Sequence, residues 1–354
     1  MSFRSCYTAE KTRLYGRALA SRRHRVIMRR SVLLASISAA ALSSSALAQV
    51  PERHFRIGIF GFQPLALVRT GTFAPIFDEL RKLGYIEGKN TTFEVRSAEG
   101  DIDRTPAIAA ELVALNPDVI FASNTPSVIA LKQTGTTIPV IFAQIGSDLI
   151  RLGVIESIPR PGGNFTGIIT NSVEIAAKRL ELLRELVPDA TRVAMFQNPL
   201  NPLSAATFEE TVRAGGLLGI EIIPIEVKRA EDIEQGVDRA VQVQAQALIK
   251  TDDAVTYINR QKVIRLVQQY KLPTIFNYRV EAVEGGLISY GVDAEVQYRR
   301  AAVYLDKILR GTKPMDLPVE QATRVLLVIN LKSADALGIK IPLILMARAD
   351  EVIE

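Results

Sequence analysis

The sequence predicts an α/β protein built from two doubly wound lobes, and three observations predict it. From Phe55 onward, short β-branched runs alternate with amphipathic helical stretches, the pattern of βα units laid on a parallel sheet. Two of the runs, "VIFA" at 119–122 and again at 140–143, carry no polar alternation, as strands covered by helices on both faces require. The alternation falls into two sets of about 110 residues each, with the turn cluster Pro161-Gly162-Gly163 between them.

In the first set, "FRIGIF" (55–60) reads as a strand, and 72–85 as a helix with Phe73, Ile76, Phe77, Leu80 and Leu83 on one face. Strand 91–96, helix 105–115, strand 118–123, helix 126–133 and strand 138–144 follow. After the turn at 161–163 comes a strand-like segment, then helix 174–187, strand 192–197, helix 203–218, strand 221–226, a helix near 230–244, strand 246–250, helix 254–270 and strand 273–277. "GGLISYG" (285–291) is a further strand, and Asp293 and Gly311 bracket helix 293–310 as its caps. "RVLLVIN" (324–330) ends the strand series, and the tail "IPLILMARADEVIE" is assigned no element. Glycine breaks at 161–163, 285–286 and 311 are the natural places for the chain to cross between lobes.

The amino-terminal 48 residues read as an export signal. Arg29 and Arg30 precede the uncharged, small-residue stretch Ser31–Leu47, and Ala46-Leu47-Ala48 fits a signal peptidase, with cleavage before Gln49. Met28 is then the expected initiator, and the arginine pair leaves Sec and twin-arginine export both open. Nine of the 43 basic residues and one of the 38 acidic ones lie in 1–48, so the remaining 306 residues hold 34 against 37, a net charge of −3. The basic balance belongs to the leader, and the folded part carries no footprint for nucleic acid.

Cys6, the only cysteine, and His24 also belong to the leader, and His54 precedes the first strand. A zinc site, a cysteine nucleophile and a Ser-His-Asp triad therefore lack their residues. The glycine spacings of phosphate and dinucleotide loops are absent, so no cofactor is expected. Carboxylate chemistry alone stays open to an enzyme, with Asp148 or Asp253 as its base.

In open α/β sheets a ligand binds beyond the carboxyl ends of the strands, where helix N-termini offer free N–H groups. The residues that end the strands are Phe62 and Gln63; Ser123, Asn124 and Thr125; Ser147 and Asp148; Gln197 and Asn198; Thr251, Asp252 and Asp253; and Asn277 and Tyr278. Each has an ordinary explanation. Asn124, Asp252 and Asp253 suit helix caps, Asn198 suits the turn in "NPLNP", and Phe62 suits packing. The signal lies in the set, because small polar groups end strands in both halves.

"ELRKLGYIEGKN" (79–90), "SAEGDIDRTPAIAAELVALNPDVIFASNTPSVIALKQ" (97–133), "RPGGNFTGI" (160–168), "KRLELLRELVPDATRVA" (178–194), "EGGLISYG" (284–291) and "YRRAAVYLDKILRGTKPMDLPVEQAT" (298–323) resemble, in that order, the substrate-binding component of ABC importers, as do "VINLKSADALGIKIP" (328–342) and the tail. The branch is the one grouped with aromatic-amino-acid binders. The resemblance implies a type I periplasmic-binding fold, two Rossmann-like lobes joined by three crossing strands. Lobe one would be 52–163 with 284–321, and lobe two 164–283 with 322–354. It implies ligand contacts from Ser123, Thr125, Asp148, Asn198 and Thr251-Asp252, with Asp253 as the alternative aspartate. It implies a periplasmic receptor, expected to be a monomer, that hands a small amino-acid-like or aromatic acid to an inner-membrane ABC permease. A ligand sensor for a membrane signalling receptor is the alternative on the same fold. Where relatives read D-P-V-G-T-G, this chain has Asp148-Leu149-Ile150-Arg151-Leu152-Gly153, a bulkier rim whose Arg151 either grips a carboxylate or faces solvent.

Overall fold

The computed structural model describes residues 53–71, 73–146 and 149–354; the expected signal lies outside them. The chain opens with β1 (Phe55–Gly61), α1 (Leu65–Val68), α2 (Ala74–Lys82), β2 (Thr91–Ser97), α3 (Thr105–Ala114), β3 (Val119–Ser123), α4 (Thr125–Gln133), β4 (Val140–Ile145) and β5 (Phe165–Ile169). It continues with α5 (Ala176–Leu186), β6 (Arg192–Gln197), α6 (Pro202–Leu218), β7 (Glu221–Glu226), α7 (Asp232–Gln242), β8 (Ala247–Ile249), α8 (Ala254–Ile258), α9 (Arg260–Gln269), β9 (Thr274–Phe276), α10 (Arg279–Val283) and β10 (Ile288–Val292). Last come α11 (Ala294–Leu309), β11 (Glu320–Gln321), β12 (Val325–Asn330), α12 (Leu331–Leu337), α13 (Leu343–Arg348) and β13 (Glu351–Ile353).

These strands form two sheets, in the orders β11-β5-β4-β3-β1-β2 and β13-β12-β10-β9-β8-β6-β7. β10 and β12 pair antiparallel, and the other pairings are parallel. Every residue of β3 and β4 is buried, the consequence of apolar runs covered on both faces. One face of the first sheet packs on α2 and α11, through residues such as Ile76, Leu80, Ala301 and Leu305. The second sheet buries Val193, Ile249, Ile275 and Ile288 against Leu180, Leu183 and Leu345.

The chain crosses between the sheets three times, the first two at different points from those expected. "FTGII" pairs with β4 in the first sheet, so the first crossing follows Ile169 and the glycine cluster at 162–163 is a turn into a strand. β10 pairs with β9 and β12 in the second sheet, so 284–292 belongs to lobe two and the second crossing falls at Asp293. The third crossing runs from Gln321 to Val325. The last two lie side by side: the Asp293 N–H donates to the Arg324 carbonyl at 3.1 Å, and Asp293 also caps α11 at Val296.

Stretch 254–270 is two helices, broken at Asn259. The unassigned tail forms α13 and a parallel edge strand, β13, on β12. Three residues per strand and a charged sequence hide such an edge from any periodicity test. Among the described residues no helix is long and apolar enough to cross a membrane.

Gly291, at the end of β10, shows how tightly the second crossing is packed. A Cβ there would stand 1.9 Å from the Asn277 carbonyl oxygen and 3.3 Å from Nη2 of Arg179. Gly291→Ala is expected to cost at least about 2 kcal/mol through backbone displacement, read as a lower urea midpoint with an unchanged slope.

Candidate functional site

The carboxyl ends of β1, β3 and β4 and those of β8 and β9 face a common cleft. It holds an inner cavity of about 70 Å³ and an outer one of about 380 Å³, the two sharing Gln63, Tyr257, Ile258, Tyr278, Ala294 and Tyr298 in their walls. Lobe one supplies Phe62, Gln63, Phe73, Ser123, Asn124, Thr125 and Gln144 to the inner cavity, with Ala294 and Tyr298 from α11. Lobe two supplies Asn201, Leu203, Asp252, Asp253, Ala254, Tyr257, Ile258 and Tyr278.

On the lobe-one side the backbone is set for a polar contact. Asn124 takes φ +80°, and its side chain accepts from the Ser127 N–H at 2.9 Å as the cap of α4. With ψ at 149° the residue lies outside the left-handed helical well that asparagine commonly visits, in a positive-φ region adopted almost only by glycine. Gln144 adopts φ +59° at the end of the adjacent strand. Among the described residues the buried Thr125 hydroxyl and both buried side-chain amide atoms of Gln144 find no hydrogen-bond partner, a condition that native interiors rarely leave unanswered. Ser123 Oγ lies 3.1 Å from the Tyr298 hydroxyl. Burial pushes the Tyr298 phenol well above its ordinary range, so it stays a neutral hydrogen-bonding group.

Five aromatic rings line the cavity: Phe62, Phe73, Tyr257, Tyr278 and Tyr298. Phe73 packs against Tyr298 at 5.3 Å, and Tyr257 meets Tyr278 edge-on at 5.0 Å, within the range of favourable ring pairs. The Tyr278 phenol is likewise raised by burial, and next by the Asp252 charge.

The lobe-two side is a buried charge cluster. Asp253 caps α8: Oδ1 accepts from the Val255 N–H at 2.9 Å, and Oδ2 accepts from the amides of Asn198 and Asn201, each at 3.0 Å. Burial pushes its carboxyl up against the pull of those donors. Asp252 is held differently. Its Oδ2 receives both terminal nitrogens of Arg179 at 3.3 Å, and Arg179 Nε donates to the Tyr290 carbonyl at 2.7 Å. Among the described residues Asp252 Oδ1 takes no hydrogen bond. Below them, Lys250 and Glu281 form a fully buried ion pair at 3.2 Å. Glu281 Oε2 accepts from the N–H groups of Asn277 and Tyr278, and Lys250 Nζ donates to the Thr251 carbonyl at 3.0 Å. The pair fastens the loop after β8 to the loop after β9. Burial raises the Glu281 carboxyl, and Lys250 opposes the shift.

Of the strand-end residues singled out in the sequence, the cavity gathers Phe62, Gln63, Ser123, Asn124, Thr125, Asp252, Asp253 and Tyr278. Ser147 and Asp148 lie outside the described residues. Gln197, Asn198, Thr251 and Asn277 are absent from the wall. Asn198 stands behind Asp253, Thr251 Oγ1 accepts from Ser204 at 3.3 Å, and the Gln197 carbonyl serves strand pairing with Val227. Arg151 is exposed and also outside the wall. The reading overlooked Phe73, Gln144, Asn201, Tyr257 and Tyr298, together with Arg179 behind the wall. Asn201 and Tyr257 carried a signal: one caps α6 within "NPLNP", and the other lies four residues after Asp253, one helical turn away. Phe73 and Tyr298 reach the site only through the fold.

The fold and cleft define a two-lobed solute-binding protein. The ABC transporter substrate binding protein family matches residues 69–353, and the chain belongs to that family. Its members are solute binders, not enzymes, and work with an ABC permease outside the cytoplasm. The chain is similar to a tyrosine-binding protein of Clostridioides difficile, 24% identical over 261 residues that cover 74% of each chain. It is similar in structure to a conserved domain protein from Vibrio cholerae, with 25% identity, TM-score 0.78, and 85% of this chain and 100% of the other covered. The L-Trp complex of an ABC domain from Streptococcus pneumonia gives 24% identity and TM-score 0.76 over the same shares.

Removing one partner of the Lys250–Glu281 pair should strand a buried charge. Lys250→Met is expected to cost about 3–5 kcal/mol, and Lys250→Met with Glu281→Gln distinctly less, measured by urea unfolding of the three proteins.

Proposed function

We propose that this protein is the periplasmic receptor of an ABC importer for an aromatic α-amino acid, which it delivers to an inner-membrane permease. The observation that carries the reading is the pairing of an aromatic-walled cavity with a charge imbalance at one end. In lobe two the carboxylates of Asp252, Asp253 and Glu281 face two cations, Arg179 and Lys250, all buried. One ligand ammonium balances the cluster, and Oδ1 of Asp252 is the atom open to receive it. The ligand carboxylate goes to lobe one, on Ser123, the unpartnered Thr125 hydroxyl and the N-terminus of α4. The ring lies among Phe62, Phe73, Tyr257 and Tyr298. The names of the tyrosine-binding relative and of the L-Trp complex point to the same ligand class. The stretch Met28–Ala48 supplies export, and the receptor works as a monomer whose lobes hinge about the three crossings.

The test is a melting series on residues 49–354 with L-tyrosine, L-tryptophan, L-phenylalanine, aliphatic amino acids and aromatic acids without an amine. An aromatic amino acid at about 100 times its Kd is expected to add about 2.7 kcal/mol of apparent stability, with little response to the other classes. Melting shifts given only by aliphatic amino acids or only by amine-free acids would reject the ligand class. Asp252→Ala is expected to weaken L-tyrosine binding by roughly 10-fold or more, the loss of one charged contact, in titration calorimetry.

A further inference from the structure

We propose that Arg179, which does not line the cavity, is a positioning residue that fixes which oxygen of Asp252 faces the ligand. The inference rests on the proposed ammonium contact at Asp252. Arg179 projects from α5 and is 2% exposed. Its three nitrogens are divided between two acceptors. Nε is anchored on the Tyr290 carbonyl at 2.7 Å, so the guanidinium plane is set by the backbone of β10. Both terminal nitrogens then converge on the same carboxylate oxygen, Oδ2 of Asp252, at 3.3 Å each. This end-on arrangement occupies one oxygen fully and leaves the other, Oδ1, for the cavity.

The surroundings hold the guanidinium in place. Gly291 lies against Nη2, with no room for a Cβ. The other charged groups nearby are committed: Lys250 to Glu281, and Asp253 to Val255 and the two asparagines. Without Arg179, Asp252 would be a buried carboxylate with two free oxygens and no fixed rotamer. A lysine restores the charge without the fork, because an ammonium carries no plane to select one oxygen. Arg179 thus fixes the rotamer of Asp252 and points its remaining acceptor at a cationic group.

The experiment compares Kd values by calorimetry for L-tyrosine and L-tryptophan and for the desamino analogue of each, in which hydrogen replaces the ammonium. The proteins are wild type, Arg179→Gln, Arg179→Lys, Asp252→Asn and the double variant Arg179→Gln/Asp252→Asn, each first checked for a cooperative melt. Arg179→Gln is expected to weaken the amino acids by roughly 10- to 100-fold, the range of one charge-assisted contact. Arg179→Lys should fall between it and wild type, and the desamino analogues should stay within about twofold. In the Asp252→Asn background, Arg179→Gln should have no further effect. Equal losses for amino acids and desamino analogues, or additive losses in the double variant, would overturn the inference and leave Arg179 a structural residue. Wild-type affinity for L-tyrosine and L-tryptophan in Asp252→Asn would overturn the ammonium contact itself, and the inference with it. If Arg179→Gln does not fold, the Arg179→Lys and double variants decide.

Discussion

The cleft side of lobe two depends on holding five charges away from water in a fixed arrangement. A buried ion costs several kcal/mol even after relaxation, and its partner offsets that cost only when the geometry is good. Four of the five also have a neutral ligand, and Asp252 is held by Arg179 alone among the described residues. Asp253 has two asparagine amides and a backbone N–H, Glu281 has two backbone N–H groups, Lys250 has the Thr251 carbonyl and Arg179 has the Tyr290 carbonyl. These contacts join strand ends distant in sequence. The segments at 179, 198–201, 250–253, 277–281 and 290 become one rigid block, though the loops that carry them are short.

Lobe one solves a different problem with different means. It brings no buried charge to the cavity wall among the described residues. It offers hydroxyls, an amide and a helix N-terminus, placed by two non-glycine residues with positive φ at adjacent strand ends, Asn124 and Gln144. Such backbone strain persists where the surroundings over-determine it, and it clusters at ligand sites. Here β3 and β4 are buried along their whole length, which gives the rigidity to hold it.

Much of this was legible in the sequence, for identifiable reasons. Strands such as β3, β4 and β6 are long apolar runs bounded by turns, so their position and the polar residues that end them can be read directly. That reading reached Ser123, Asn124, Thr125, Asp252, Asp253 and Tyr278. It could not tell which strand-end side chains face the cleft, because the answer depends on pleat and twist. Gln197, Asn198, Thr251 and Asn277 therefore stood with the others although they do not line the cavity. It placed the first two crossings at glycines, whereas they follow Ile169 and Val292. A glycine marks a turn, but sheet membership is decided by partners over a hundred residues away, as β11 on β5 illustrates. Arg179 sits in a helix whose charge pattern, "AAKRLELLREL", looks like an ordinary solvated face. Its burial follows from Asp252 and Tyr290, which no local pattern reports.

The division of labour between the lobes has a consequence for selectivity. A ligand shifts a two-lobed protein toward closure only by the extra affinity it has for the closed arrangement. On the proposed function the two walls are complementary to opposite ends of one molecule, a cation for the cluster around Asp252 and an acceptor group for the hydroxyls and helix end at 123–125. A compound with only one of these ends satisfies one lobe and gains nothing from the approach of the other. An α-amino acid bridges both, and an aromatic side chain adds contact to rings contributed by both lobes, Phe62 and Phe73 from one and Tyr257 and Tyr278 from the other. On that proposal, selection for the zwitterion and selection for the ring are two parts of one requirement, that the ligand join the lobes.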